Sequence, residues 1–200
     1  MSDSPLNWHE QAEVLGVRVR VYFFDPAEVD LRTALLDRQL PILAGSGARL
    51  LGTEGQRDCY RVPGLMAQPD AVYQHGDGLL CLNLRGADGR LHRPGSWLRH
   101  WRADLMLQSL AAAMAVAGQT QKPTAALWRG ANVLCQFDPS PAVLDALASQ
   151  IDIARRYWNE PGYLIPSQLA SFCEPRLRAV LSRLGTIDPA DTEPASLASA

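Results

Sequence analysis

The chain lacks the features that mark several large classes of protein. It contains no run of about 18 or more apolar residues, so no membrane-spanning helix is expected. Its N-terminus, MSDSPLNWHEQ, has no basic region followed by an apolar core, so we expect no secretory signal. No Walker loop, GxGxxG, HExxH or GxSxG motif occurs, and no Ser-based nucleophile elbow is visible.

The net charge is also low, and closely spaced cysteine pairs are absent. The formal net charge of -2 argues against a generally basic nucleic-acid coat, although it leaves a local basic groove open. No CxxC pair occurs among the four cysteines, which are Cys59, Cys81, Cys135 and Cys173. We therefore expect reduced, buried thiols in a cytoplasmic protein and no iron–sulfur cluster.

The composition that is present is that of an ordinary globular chain. Its 200 residues fit one domain, and the apolar fraction of 47% and charged fraction of 20% are typical of such domains. We expect a single domain over residues 1–187, with residues 1–12 loosely held. The segment 188–200 is rich in small and polar residues and contains prolines, so we expect it to be a disordered tail.

Periodicity and turn residues predict the order of elements along the chain. The predicted strands cover residues 17–23, 48–53, 59–62, 68–73, 79–85, 124–128 and 133–137. The predicted helices cover residues 26–40, 97–117, 141–158 and 167–184. This order predicts an α/β or layered α+β domain with a central mixed sheet flanked by helices.

The functional interpretation depends on the segment 64–85. Two predicted strands are joined there by residues 75–78 (HGDG), which have the composition of a hairpin turn. The first strand opens with Pro-Asp, at Asp70. The second ends with Asn83 and Arg85, whose side chains point to one face because they are two residues apart. An acid on one strand beside a polar-x-cation pair on the next is how some nucleases hold a divalent metal at a phosphodiester.

These residues resemble the PD-(D/E)XK nuclease superfamily, and within it the RecB-like and CRISPR-associated exonuclease branch. The resemblance covers about residues 25–158, and the helices over 159–187 follow it. It implies a restriction-endonuclease-like core of a helix, a three-stranded meander, a helix and a strand. The catalytic positions that it implies are Asp70 for the first acid, Asn83 for the second acid, Arg85 for the lysine and Gln108 for the glutamine of the RecB-like branch.

Two of these positions depart from the family pattern. Mg²⁺ selects anionic oxygen ligands, and Asn83 offers only one neutral carbonyl oxygen. Arg85 can contact phosphate, but a guanidinium with a pKa above ~12 is a poor proton acceptor. We therefore expect an eroded metal site, in which Asp70 is the candidate Mg²⁺ ligand with Glu54 or Glu28 as a replacement acid.

Each of the hairpin residues also has a plainer structural interpretation. Asp70 could be a strand-edge acid or a cap of the turn. Asn83 and Arg85 could form the exposed polar face of an edge strand. Gln108 lies in an apolar helix, and a structural hydrogen bond to the sheet would satisfy it.

Basic residues also open the long predicted helix. Arg99 and Arg102 alternate there with tryptophans, which suits a nucleic-acid groove shared with Arg85. The same pattern equally suits a solvated helix end whose tryptophans pack inward.

Three functional hypotheses follow. The first is a nuclease-fold protein with an eroded metal site that binds nucleic acid or a partner protein, and the resemblance implies a context of DNA processing, maintenance or defence. The second is an active Mg²⁺-dependent deoxyribonuclease with a migrated acid. The third is a non-enzymatic structural or assembly scaffold, for which a protein partner or a homo-oligomer is expected.

Overall fold

The computed structural model describes residues 6–24, 49–53, 60–62, 65–85, 103–118, 121–130, 132–157 and 164–183. The strands in this part of the chain are β1 (Leu6–Val14), β2 (Val17–Phe24), β3 (Arg49–Thr53), β4 (Tyr60–Val62), β5 (Leu65–Ala67), β6 (Ala71–His75), β7 (Gly78–Arg85), β8 (Lys122–Arg129) and β9 (Val133–Pro139). The helices are α1 (Ala103–Ala117), α2 (Pro141–Tyr157) and α3 (Pro166–Arg183).

Seven of these strands form one mixed sheet in the order β1-β2-β9-β8-β7-β6-β3. Neighbouring strands are antiparallel except β7 and β8, which run parallel. Parallel neighbours need a long crossover connection, and α1 lies within it. The predicted layered class with a mixed sheet is confirmed. No helix among the described residues is long and apolar enough to cross a membrane.

Alternation along the strands sorts the buried side chains onto two faces of the sheet. On one face, residues such as Val19, Cys81 and Leu127 belong to the same core cluster as Met106 and Leu110 of α1. Helix α1 is apolar nearly all round because it is packed between the sheet and α3. The other face carries a second, smaller buried cluster around Tyr73, Leu80 and Leu134.

Helix α2 begins where its sequence predicts. Ser140 is the N-cap, because its Oγ accepts the Val143 N–H at 3.4 Å, and Pro141 occupies the first helical position. The β1–β2 turn packs against this helix start, and the Ser140 N–H donates to the Gly16 carbonyl at 3.4 Å. The N-terminal hairpin is therefore fixed to the second half of the chain at its turn as well as along β9.

The expectation of a loose N-terminus is wrong for residues 6–12, which lie in β1. Its partner β2 pairs antiparallel with it across a turn at Leu15 and Gly16, whose φ values are 53° and 71°. Leucine rarely adopts a left-handed conformation, so local sequence does not predict this turn. Burial of the Leu15 side chain in the main core holds it in place.

A second difference concerns the predicted meander. The predicted strand over residues 59–62 exists as β4, but it pairs with β5 in a separate two-stranded ribbon and not in the main sheet. Several predictions fall outside the described residues. They are the helix over 26–40, residues 97–102 of the long helix, and the tail over 188–200.

Candidate functional site

The predicted β6–β7 hairpin forms, but its first strand covers Ala71–His75 and not residues 68–73, so Asp70 lies just before it. His75 pairs with Gly78 across a two-residue turn, and Gly76 has a φ of 58° in the region that favours glycine. The ladder runs back to the pair Ala71 and Leu82. Asp70 and Asn83 therefore both lie just beyond the last ladder pair, at the open end of the hairpin.

Asp70 supports the backbone at this open end. Its N–H donates to the Leu82 carbonyl at 3.0 Å, and its Oδ2 accepts the Leu84 N–H at 2.6 Å. The half-buried carboxylate thus gives the Leu84 N–H of β7 a hydrogen-bond acceptor past the point where the β6–β7 ladder ends. A charged acceptor on a backbone N–H is among the stronger hydrogen bonds of proteins, so Asp70 has a structural role here.

Asn83 and Gln108 line the same cleft of about 240 Å³. Leu79, Cys81 and Asn83 are spaced two residues apart on β7, so their side chains lie on the same face of the sheet. Leu79 and Cys81 belong to the core cluster that includes α1, so Asn83 also lies on the α1 side. Gln108 and Ala112 line the cleft together because they are one helical turn apart on α1.

The start of α3 closes the cleft on a third side. Leu65 and Leu164 form a parallel β-bridge, and the Met66 N–H donates to the Leu164 carbonyl at 3.1 Å. These contacts place Gln68 and Ser167 beside the two amides of Asn83 and Gln108. Sequence reasoning missed both residues, because no local pattern connects the start of α3 with the hairpin.

The amide of Asn83 carries an unpaired donor. Its Nδ2 is fully buried and has no hydrogen-bond partner among the described residues. A buried N–H without an acceptor is unfavourable by about 1–3 kcal/mol. The Asn83 side chain lines the cleft, so a group that enters the cleft lies beside this amide.

The described residues do not fit a Mg²⁺ site. No group of three or more His, Cys, Asp or Glu side chains in this part of the chain could hold a metal ion. The polar lining that the structure describes in the cleft consists of amides and one hydroxyl, which are weak ligands for a hard cation. The replacement acids Glu28 and Glu54 lie outside the described residues.

The predicted basic groove is only partly within the described chain. Arg85 is the last residue of β7, and its side chain is not among those described. Arg99 and Arg102 lie outside the described residues. The shared groove of these three arginines stays a prediction.

A second cleft, of about 170 Å³, lies on the opposite face of the sheet. Lys122 Nζ lies 3.2 Å from Asp138 Oδ1, and Arg20 and Asp77 add one further charge of each sign to the lining. Tyr22 on the same face donates from its hydroxyl to Gln136 Oε1 at 3.3 Å. Burial raises the pKa of Tyr22, and the neighbouring Arg20 partly opposes this. Opposite charges in one cleft leave little net attraction for an anion.

The prediction of buried thiols is confirmed for the three cysteines that the structure describes. Cys81, Cys135 and Cys173 are buried thiols. Burial raises the pKa of Cys81 and of Cys173 to about 12. Such thiols stay protonated and are poor nucleophiles and metal ligands at neutral pH.

Comparison of the chain with protein-family models, with curated proteins and with solved structures finds no match. No relative therefore assigns a family, a ligand or a reaction to the cleft.

Proposed function

We propose that the protein is a non-catalytic, nuclease-like domain that binds nucleic acid at the open end of the β6–β7 hairpin. The observation that carries this proposal is the lining of the cleft. Asn83 and Gln108, which the resemblance places at the second acid and the glutamine, share one cleft whose described polar groups are neutral. Neutral amides form hydrogen bonds, but they neither hold Mg²⁺ firmly nor activate water.

The topology supports a restriction-endonuclease-like core. Strands β3, β6 and β7 form an antiparallel meander, and β8 returns parallel to β7 after α1. The resemblance implies this order of meander, helix and strand. Asp70 directly precedes the second meander strand, Asn83 lies on the third, and Gln108 lies on the helix that follows.

The hydrogen bond that Asp70 makes to the backbone supports a loss of catalysis. A metal nuclease needs this carboxylate to be directed at the metal, whereas one of its oxygens here accepts the Leu84 N–H. The remaining carboxylate oxygen is a single anionic donor. One such donor makes a poor site for a hard divalent ion.

Arginine in place of lysine agrees with binding without cleavage. A guanidinium keeps the bidentate phosphate contact and gives up proton transfer. Arg85 ends the strand that carries Asn83, and in the predicted groove Arg99 and Arg102 extend the contact. The net charge of -2 makes this a local attraction and not a steering field around the whole molecule.

The test is binding of labelled single-stranded DNA, duplex DNA and RNA, measured by fluorescence anisotropy at low and moderate salt. We expect binding in the presence of EDTA, an affinity that falls steeply with salt, and a salt slope that drops by about one for Arg85→Ala. Arg18→Ala is the matched control, because Arg18 is an exposed arginine on the opposite face of the sheet.

The same samples are assayed for cleavage with Mg²⁺ and Mn²⁺. No cleavage is expected. Robust metal-dependent cleavage that disappears in Asp70→Ala would overturn the proposal in favour of a nuclease with a migrated acid. Absence of binding to any of these nucleic acids at low salt would favour the scaffold hypothesis instead.

A further inference from the structure

The cleft beside Asn83 is neutral in the part of the chain that the structure describes. Its polar lining there consists of Gln68, Asn83, Gln108 and Ser167. A phosphate in this cleft would meet no cation among these residues, and burial of an unpaired charge is costly. The described lining therefore favours a polar, uncharged group over a phosphate.

The carboxamides of Gln68, Asn83 and Gln108, which all line the cleft, specify part of that group. A carboxamide both donates and accepts hydrogen bonds. A ligand that presents acceptors and donors along one edge matches this arrangement.

The size and walls of the cleft specify the rest. A volume of about 240 Å³ is below the roughly 300–1,000 Å³ of sites for drug-sized ligands, so one ring system fits better than an extended chain. Met66 and Ile165 supply apolar surface for the face of a ring. A nucleobase has both properties, and carboxamides pair with base edges in the recognition of adenine.

We propose that this cleft binds one unpaired nucleobase of a single-stranded segment, while the charged phosphates stay outside it. This inference rests on the proposed function, because nucleic acid must bind before a base can enter. It predicts a preference for single strands, since a base in a duplex must first be unpaired and unstacked.

The experiment compares labelled oligonucleotides of equal length and charge. One carries a single central adenine in a strand of abasic residues, and the other is abasic at every position. We expect wild-type protein to bind the adenine strand about tenfold more tightly, the ratio that a pair of base contacts can supply. We expect Asn83→Ala and Gln108→Ala to reduce this ratio to below about twofold.

Gln11→Ala is the matched control, because Gln11 is an exposed amide on β1 outside the cleft. It should keep the wild-type ratio. Thermal unfolding of each variant shows whether it is folded, and Gln108→Ala supplies a second reading if Asn83→Ala does not fold.

The outcomes separate this inference from the proposed function. Equal affinity for the adenine and abasic strands, with steep salt dependence retained, would overturn the base cleft and leave nucleic-acid binding intact. A base preference that survives both substitutions would also overturn it. No binding to either strand at low salt would overturn the inference together with the proposed function.

Discussion

Substitution of Asp70 separates its structural role from a role as a metal ligand. The Asp70 carboxylate accepts the Leu84 N–H at 2.6 Å at the open end of the hairpin. In Asp70→Ala the hydrogen bond is lost and a partly buried N–H is left without its acceptor. Asp70→Asn keeps an acceptor oxygen but loses the charge.

The magnitude follows from the type of bond. Hydrogen bonds to charged groups contribute about 1.5–3 kcal/mol, and neutral ones about 0.5–1.5 kcal/mol. We therefore expect Asp70→Ala to lower the free energy of unfolding by about 1.5–3 kcal/mol and Asp70→Asn by about 1 kcal/mol. In a domain of this size the larger change corresponds to a fall in Tm of roughly 3–12 °C.

Urea unfolding and thermal unfolding, each in EDTA and in Mg²⁺, measure these changes. Asp77→Ala is the control, because Asp77 is an exposed acid in the turn of the same hairpin, where most substitutions change stability by less than about 0.5 kcal/mol. The structural role requires the same loss in both solutions. An Asp70→Ala protein as stable as wild type, or a loss that appears only with Mg²⁺, would refute it.

Three further predictions concern two glycines with left-handed backbone and the buried thiols. Gly16→Ala should destabilise by about 2–5 kcal/mol, because its φ is 71° and a Cβ there would lie 2.9 Å from Val143 Cγ2. Gly118→Ala should lower the free energy of unfolding by only about 1–2 kcal/mol, because Gly118 has a φ of 61° but open space around it. Equal losses of stability for the two variants in urea unfolding would contradict the steric argument. The pKa values of Cys81 and Cys173, raised from 9.0 to about 12, mean that their contribution to stability is complete below about pH 9 and is lost as the pH rises towards 12. Both thiols should resist iodoacetamide in the native state and react on unfolding, as mass spectrometry would show, and rapid native labelling would contradict their burial.

Local chemistry accounts for the elements that the sequence predicts well. The hairpin turn at Gly76 and the N-cap at Ser140 each depend on residues within one turn, so composition alone locates them. The turn at Leu15 carries no such composition, and burial in the core decides its conformation. Strand β4 was predicted, but its pairing was not, because alternation gives a strand without giving its partner.

Some residues of the candidate site could also be predicted from the sequence, and others could not. Asn83 and Gln108 could be predicted together, because strand alternation and the resemblance place both on the same side of the hairpin. Gln68 and Ser167 could not, since a β-bridge between Leu65 and Leu164 brings them there from distant parts of the chain. The hydrogen bond of Asp70 was one of two interpretations, and only the geometry at Leu84 supports the capping role.

The position of β2 in the sheet means that its pairing is completed late during synthesis. Strand β2 pairs with β9, so the N-terminal hairpin leaves the ribosome long before residues 133–139 that complete its other edge. A lone two-stranded hairpin is marginally stable in water. Val19 and Val21, fully buried in the finished protein, therefore stay uncovered on the nascent chain until β9 is made. A polypeptide that stops before Val133 would lose the docking of its own first strands, and those apolar side chains would be available to chaperones or to aggregation.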